Sequence, residues 1–244
     1  MKKIITTLVF VAMSTVSSKA IEMPTLPELP DFGMISVTAG VAANTGVFGA
    51  SATETNRDDS NTIKHVKKES GVFTDSFSSQ FIELGIGEWV SVGYEHTPDA
   101  VTTPTNTTRH GNPAGENNVS VDFNDLDTTY IRINLPVLTG AYVKAGSVDT
   151  DLDIKESMGS GSTYNNVSTS GEIVAMGYQG FIGESGFGFR FETQYLELDN
   201  VQSSNGVAAD GATVANGGQN LIEATGLEGL TGKIAITYTL GLNN

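Results

Sequence analysis

Seven charged residues, Glu83, Glu95, Arg132, Lys144, Arg190, Glu192 and Lys233, alternate with apolar neighbours along the chain. They are three acids and four bases, close to balance. Charges of both signs on one face have two uses. They can pair in a dry interior, where an unpaired ion costs several kcal/mol, or they can line water. Pairing is the expected use here, a structural network rather than a conducting pore. The histidines offer less. Nucleophilic hydrolysis needs a Ser or Asp held beside a His. His65 and His110 fall in polar stretches that read as loops, and His96 closes an alternating stretch on its apolar phase. No serine is tied to any of them by spacing, so no enzyme and no catalytic residue is expected. Asp149, Asp151 and Asp153 would share one face of an extended backbone. The EF-hand pattern fails, because Ile154 stands where Gly is needed and no Glu closes the loop. A solvated acidic edge is the expectation, with no metal and no cofactor.

The elements that position these residues read as strands. Lys233 to Leu240 alternates cleanly: Ile234, Ile236, Tyr238 and Leu240 on one face, Lys233, Ala235, Thr237 and Thr239 on the other. Apolar residues on one face and polar ones on the other describe a transmembrane β-strand, apolar to lipid and polar to the lumen. Seven earlier stretches repeat the pattern, about Met34–Asn44, Gln80–Ile86, Trp89–His96, Val121–Leu135, Ala141–Val148, Glu172–Ile182 and Phe187–Leu198. Above Gln80 the phase of the second strand changes, and residues 73–79 have no secure place. Short turns follow the second, fourth and sixth strands. Long polar loops follow the others, including 97–120, 149–170 and 200–229. Short and long connections in alternation define an antiparallel up-and-down barrel of eight strands. Such a barrel is only wide enough for its side chains to fill it.

Composition agrees. Hydrophobic residues make up 39%, charged residues 17%, and there are 28 glycines and no cysteine. Disulfides and thiolate metal sites are thereby excluded. Beyond residues 4–13 no apolar run approaches the roughly 20 residues of a membrane helix. Met1–Ala20 reads as a cleaved signal peptide: Lys2 and Lys3, an apolar run, then Ser18-Lys19-Ala20. Residues 21–32, with Pro24, Pro27 and Pro30, read as an extended periplasmic lead, and 33–244 as the barrel domain. Removing residues 1–20 takes Lys2, Lys3 and Lys19 from 13 basic residues and none from 28 acidic ones, leaving 10 against 28, a net charge of −18. That excludes nucleic acid as a partner, which needs clustered Lys and Arg.

The last strand resembles the C-terminal assembly signal of bacterial outer-membrane proteins, with Lys233, Ala235, Tyr238 and Leu240 in its places. Leu240 stands where that signal usually has an aromatic residue, and Gly241 to Asn244 follow the strand. The whole pattern resembles the small eight-stranded outer-membrane proteins of the OmpA, OmpX and opacity-protein type. The resemblance implies the outer membrane of a Gram-negative bacterium as location. It implies lipid, lipopolysaccharide and the barrel-assembly machinery as partners. It also implies a structural, adhesion or receptor-type role, with loops that could meet an extracellular ligand or a phage. A narrow porin-like channel for small solutes is the alternative.

Overall fold

The computed structural model describes residues 35–58, 60, 62–111, 114–158, 163–205 and 219–242. The expected signal peptide and Pro-rich lead lie outside the described residues. Among the described residues there are eleven strands: β1 Ile35–Arg57, β2 Ile63–Ile86, β3 Val90–Thr97, β4 Val101–Thr102, β5 Asn106–Gly111, β6 Ala114–Asn134, β7 Ala141–Met158, β8 Val167–Phe181, β9 Phe187–Leu198, β10 Val201–Ser204 and β11 Asn220–Leu242. Eight of them form a closed antiparallel ring, β1-β2-β3-β6-β7-β8-β9-β11, with β11 pairing back onto β1. Closure removes the free sheet edges that would otherwise be left unpaired inside a bilayer. β4 and β5 pair with β6, and β10 pairs with β11, all beyond the ring at its long-connection end.

One row of paired residues gives the barrel its geometry. It runs from Ala39 through Ile82, Tyr94, Thr129, Ser147, Glu172, Glu197 and Glu228 and returns to β1 at Gly49. The circuit therefore climbs ten residues along β1, from 39 to 49, a little over one residue per strand. In a closed barrel that stagger obliges the strands to tilt by about 35–45°. The row also climbs from one solvent into another. It begins at Ala39 and Ile82, passes Thr129 and Ser147, and ends in three adjacent glutamates.

Below that boundary the outward face is a band of exposed apolar side chains. Ile82, Leu84, Ile131, Ile133, Met176, Phe191, Ile234 and Ile236 are each 46–63% exposed. A barrel in water would bury these residues; this one turns them outward, as a lipid-facing band does. Above the boundary the polarity inverts. Glu172, Glu197, Glu228, Asp149 and Asp151 take the outward phase, while Ile173, Leu196, Leu198, Leu227, Val148 and Leu152 are buried inside.

This inversion explains the uncertain part of the second strand. No phase change occurs there: β2 keeps its register with β1 from Ile86 to His65. Phe73 and Phe77 pack inward against Phe48, at ring separations of 5.4 and 6.3 Å, while Thr74, Ser76 and Ser78 face out. The chain alternates throughout; only the solvent outside has changed. The same cause corrects the loops. Much of 45–79, 114–120, 149–158, 167–170 and 220–229 is strand, because ladders continue into water on polar residues. The expected long loop 97–120 holds β4, β5 and the start of β6, and 200–229 holds β10 and the start of β11. His65 and His110 accordingly lie in β2 and β5, not in loops.

The interior is tight enough to need glycine. Tyr142 lies across the inward face of Gly177, and a Cβ there would collide with the Tyr142 ring and the Phe191 carbonyl. At the turn between β8 and β9, Gly186 has φ +80° and faces the Thr239 carbonyl. Replacing Gly177 by Leu should lower the unfolding free energy in urea by about 1–3 kcal/mol, the usual cost of overpacking. An unchanged midpoint in detergent micelles would contradict this packing.

Candidate functional site

All seven charges of alternating phase point into the lumen, and their side chains are 0–8% exposed. They form two layers. The layer nearer the short turns centres on Glu83. Arg190 grips its carboxylate with both terminal nitrogens, Nη1 donating to Oε1 at 2.5 Å and Nη2 to Oε2. Arg132 Nη2 lies 3.3 Å from Oε2, and the Tyr130 hydroxyl donates to Oε1 at 2.9 Å. Gln179 Oε1 accepts from Arg132 Nη1 at 2.5 Å and from Arg190 Nε at 3.0 Å. Ser91 accepts a further bond from Arg132 at 3.2 Å. Two guanidiniums share one carboxylate, so the neutral oxygens of Gln179 and Ser91 take further donors, and Arg132 Nε is buried without a partner. Planar, forked guanidinium suits such bidentate gripping as a lysine would not.

The second layer is a square of two acids and two lysines. Lys233 Nζ donates to Glu95 at 2.5 and 2.7 Å and to Glu192 at 3.1 Å. Lys144 Nζ donates to Glu192 at 2.6 Å and to Glu95 at 3.4 Å. Ser79 donates to Glu95 at 2.7 Å and receives Asn44 Nδ2 at 2.9 Å. Compact ammonium groups with three donors each suit a square of carboxylates.

Two tyrosines join the layers. Tyr142 donates to Glu192 at 2.8 Å while its ring faces Arg132 at 5.1 Å. Tyr130 donates to Glu83 while its ring lies 4.6 Å from the Lys144 ammonium. Each hydrogen-bonds one layer and offers its π-face to a cation of the other. The charges were legible from alternation; the neutral partners Gln179, Ser91, Ser79 and Asn44 were not, since alternation gives a residue's face but not its neighbours across the lumen.

Over these layers sits the apolar interior of the long-connection end, Phe48, Val148, Ile173, Leu196, Leu198 and Leu227. Val101 of β4, 2% exposed, joins it from above. Tyr164, between β7 and β8, is buried over the same mouth. Its backbone N–H donates to Glu156 Oε1 at 2.7 Å and its hydroxyl to Glu54 Oε1 at 3.3 Å, tying β7 to β1. Burial holds the Glu156 carboxyl above its ordinary value, and burial followed by the charge of Glu54 raises the Tyr164 hydroxyl.

The other candidates lie outside the lumen. His96 faces outward, its Nδ1 2.6 Å from Asp127 Oδ1, which also accepts the Tyr94 hydroxyl at 2.8 Å. Asp149, Asp151 and Asp153 share the outward phase of β7. Asp151 accepts from Ser168 at 2.6 Å and Asp153 from Asn166 at 2.7 Å. Among the described residues no group of three or more His, Asp or Glu side chains is placed to hold a metal ion. Of the four residues of the terminal signal, Lys233 and Ala235 face in, and Tyr238 and Leu240 face out, Tyr238 meeting Phe187 at a ring distance of 4.9 Å.

No protein-family model matches the chain, and no curated protein matches its sequence. Its fold does match solved structures. The outer membrane protein OprG from Pseudomonas aeruginosa aligns with a TM-score of 0.53 and 10% identity, over 85% of this chain and 96% of that one. The outer membrane protein AlkL aligns at 0.42 and 10% identity, over 84% and 92%. The outer membrane protease OmpT from Escherichia coli aligns at 0.45 and 10% identity, over 89% and 99%. At these identities the likeness is one of fold.

Glu83→Leu leaves two buried guanidiniums without their carboxylate and should lower stability by about 3–5 kcal/mol. Glu83→Leu combined with Arg190→Leu should cost less than the sum of the two single changes, measured by urea unfolding. Strict additivity would contradict a shared network.

Proposed function

From the eight-stranded outer-membrane barrel fold it shares with OprG, we propose that this chain is an outer-membrane protein. In this reading its barrel is a closed anchor for strands displayed at the cell surface. The observation that carries the proposal is the sealed lumen. A nearly balanced, nearly unexposed charge network spans the middle of the barrel, and a packed apolar layer lies over its outer mouth. A conducting path would have to solvate ions that are already paired with each other.

The surface role rests on the strands that outrun the lipid band. β1, β2 and β11 are 23, 24 and 23 residues long, where a tilted membrane strand needs about 9–11. Their outer halves form sheet extensions rather than loose loops. Such extensions fit a structural, adhesion or receptor-type role, with an extracellular ligand or a phage as partner. Insertion would follow cleavage of residues 1–20 and recognition of Lys233, Ala235, Tyr238 and Leu240 by the barrel-assembly machinery. No catalytic role is part of this reading: among the described residues no serine is hydrogen-bonded to the outward His96–Asp127 pair.

Single-channel recording tests the proposal. The refolded protein should give no stable conductance steps in a planar bilayer. Reproducible ion-selective steps from protein proven folded would overturn the closed-anchor reading in favour of a narrow channel.

A further inference from the structure

The outward polar boundary is not level around the barrel. On β8, β9 and β11 it falls at Glu172, Glu197 and Glu228. On β2 and β3 it falls at Gln80 and His96, paired side by side, with Asp127 next to His96 on β6. Gln80 and His96 stand two residues above the Ala39 row. They also stand four and three strands short of Glu172 on a row that climbs a little over one residue per strand. Both therefore lie lower on the barrel than Glu172, at the upper edge of the apolar band on their own strands. Polar side chains turned toward hydrocarbon are costly unless something polar meets them.

A groove begins at these residues. It occupies about 670 Å³ on the outer surface, floored by Ala39 and Val41, with Ile82 and Tyr94 on one side and Phe187 and Tyr238 on the other. Gln80 and His96 line its upper end. An apolar trough of this size with a few polar groups at one end has the make-up of a small-molecule site. The polar end has a defined chemistry. The Asp127 carboxylate can only accept, so His96 Nδ1 carries the proton between them. In the neutral ring Nε2 is then an acceptor, and the Gln80 amide beside it offers both a donor and an acceptor. That set suits hydroxyl groups. Asp127, with Asp149 paired next to it on β7, disfavours an anionic phosphate.

We infer that this groove is the binding site for one glycolipid of the surrounding leaflet: an acyl chain lies along Ala39 and Val41, and sugar hydroxyls bond Gln80 and His96. The inference rests on the outer-membrane reading, in which the long-connection end faces the outer leaflet.

The test reconstitutes the full mature barrel in nanodiscs that hold equal amounts of phosphatidylcholine and an acylated glucosamine disaccharide. Protein released from them is weighed by native mass spectrometry. Wild-type barrel should retain one disaccharide lipid in preference to phosphatidylcholine by about tenfold, the worth of two hydrogen bonds. Ala39→Phe, which fills the floor from outside the lumen, should abolish retention of that lipid. His96→Leu, which leaves the floor open, should remove the preference for the sugar head. Equal retention of both lipids by all three proteins means an adventitious lipid coat only and overturns the site. A two-barrel complex lost in Ala39→Phe assigns the groove to a second copy and overturns it too. Either result leaves the anchored barrel standing, whereas a protein that fails to enter nanodiscs overturns the barrel reading itself.

Discussion

An eight-stranded barrel encloses side chains and little else, so its buried charges have only one another and their own tyrosines, serines and amides to replace water. That constraint governs the rest of the molecule. Two arginines on Glu83 and two lysines on a pair of glutamates neutralise most of the charge that seven ionised groups bring inside. The network draws on all eight strands of the ring, β1 contributing Asn44, so it fixes opposite walls against each other. Residues such as Gly177 stay small because the aromatic members of the network lie against them. A buried network of this kind is weak evidence for great stability, since apolar packing could serve as well. In the closed-anchor reading its clearer consequence is a single register and a lumen filled by side chains.

The second constraint is that one barrel meets two solvents. Within lipid the outward face must be apolar and the lumen takes the charges. Beyond lipid the faces exchange roles, and the interior becomes an ordinary apolar core around Phe48 and Leu196. The change occurs without a break in alternation, as Glu172 beside Ile173 and Glu197 between Leu196 and Leu198 show. The three glutamates of one row lie on adjacent strands, and like charges so placed repel. They are tolerated where water screens them, which is the level at which the lipid band stops.

Much of the fold was legible in the sequence, and the reasons are specific. Ile234 to Leu240 and Phe187 to Phe191 alternate so regularly that strand, face and turn follow from period two alone. The seven lumen charges follow from the same parity. The strand ends did not. Phe73 and Phe77, which had no secure place, lie on the lumen phase with Ile173, because apolar alternation marks lipid rather than strand. Segments such as Glu116 to Val119 carry Glu and Asn that no lipid boundary reveals as ladder. The neutral partners of the network, Gln179 and Ser91 above all, depend on which walls face each other. That is set by a stagger of ten residues accumulated around the ring, and no local stretch of sequence contains it.

The account's central claim is that paired charges, not water, fill the lumen. It is tested most directly by the ammonium protons of Lys144 and Lys233. In a closed network these protons are held by Glu95 and Glu192 and exchange slowly with solvent. Nitrogen-15 spectra of the folded protein in micelles at neutral pH should then resolve two protected lysine ammonium signals, lost on substitution of either lysine. Ammonium signals broadened away by fast exchange, as for a lysine on the surface, would mean that water reaches the network and would contradict the closed barrel.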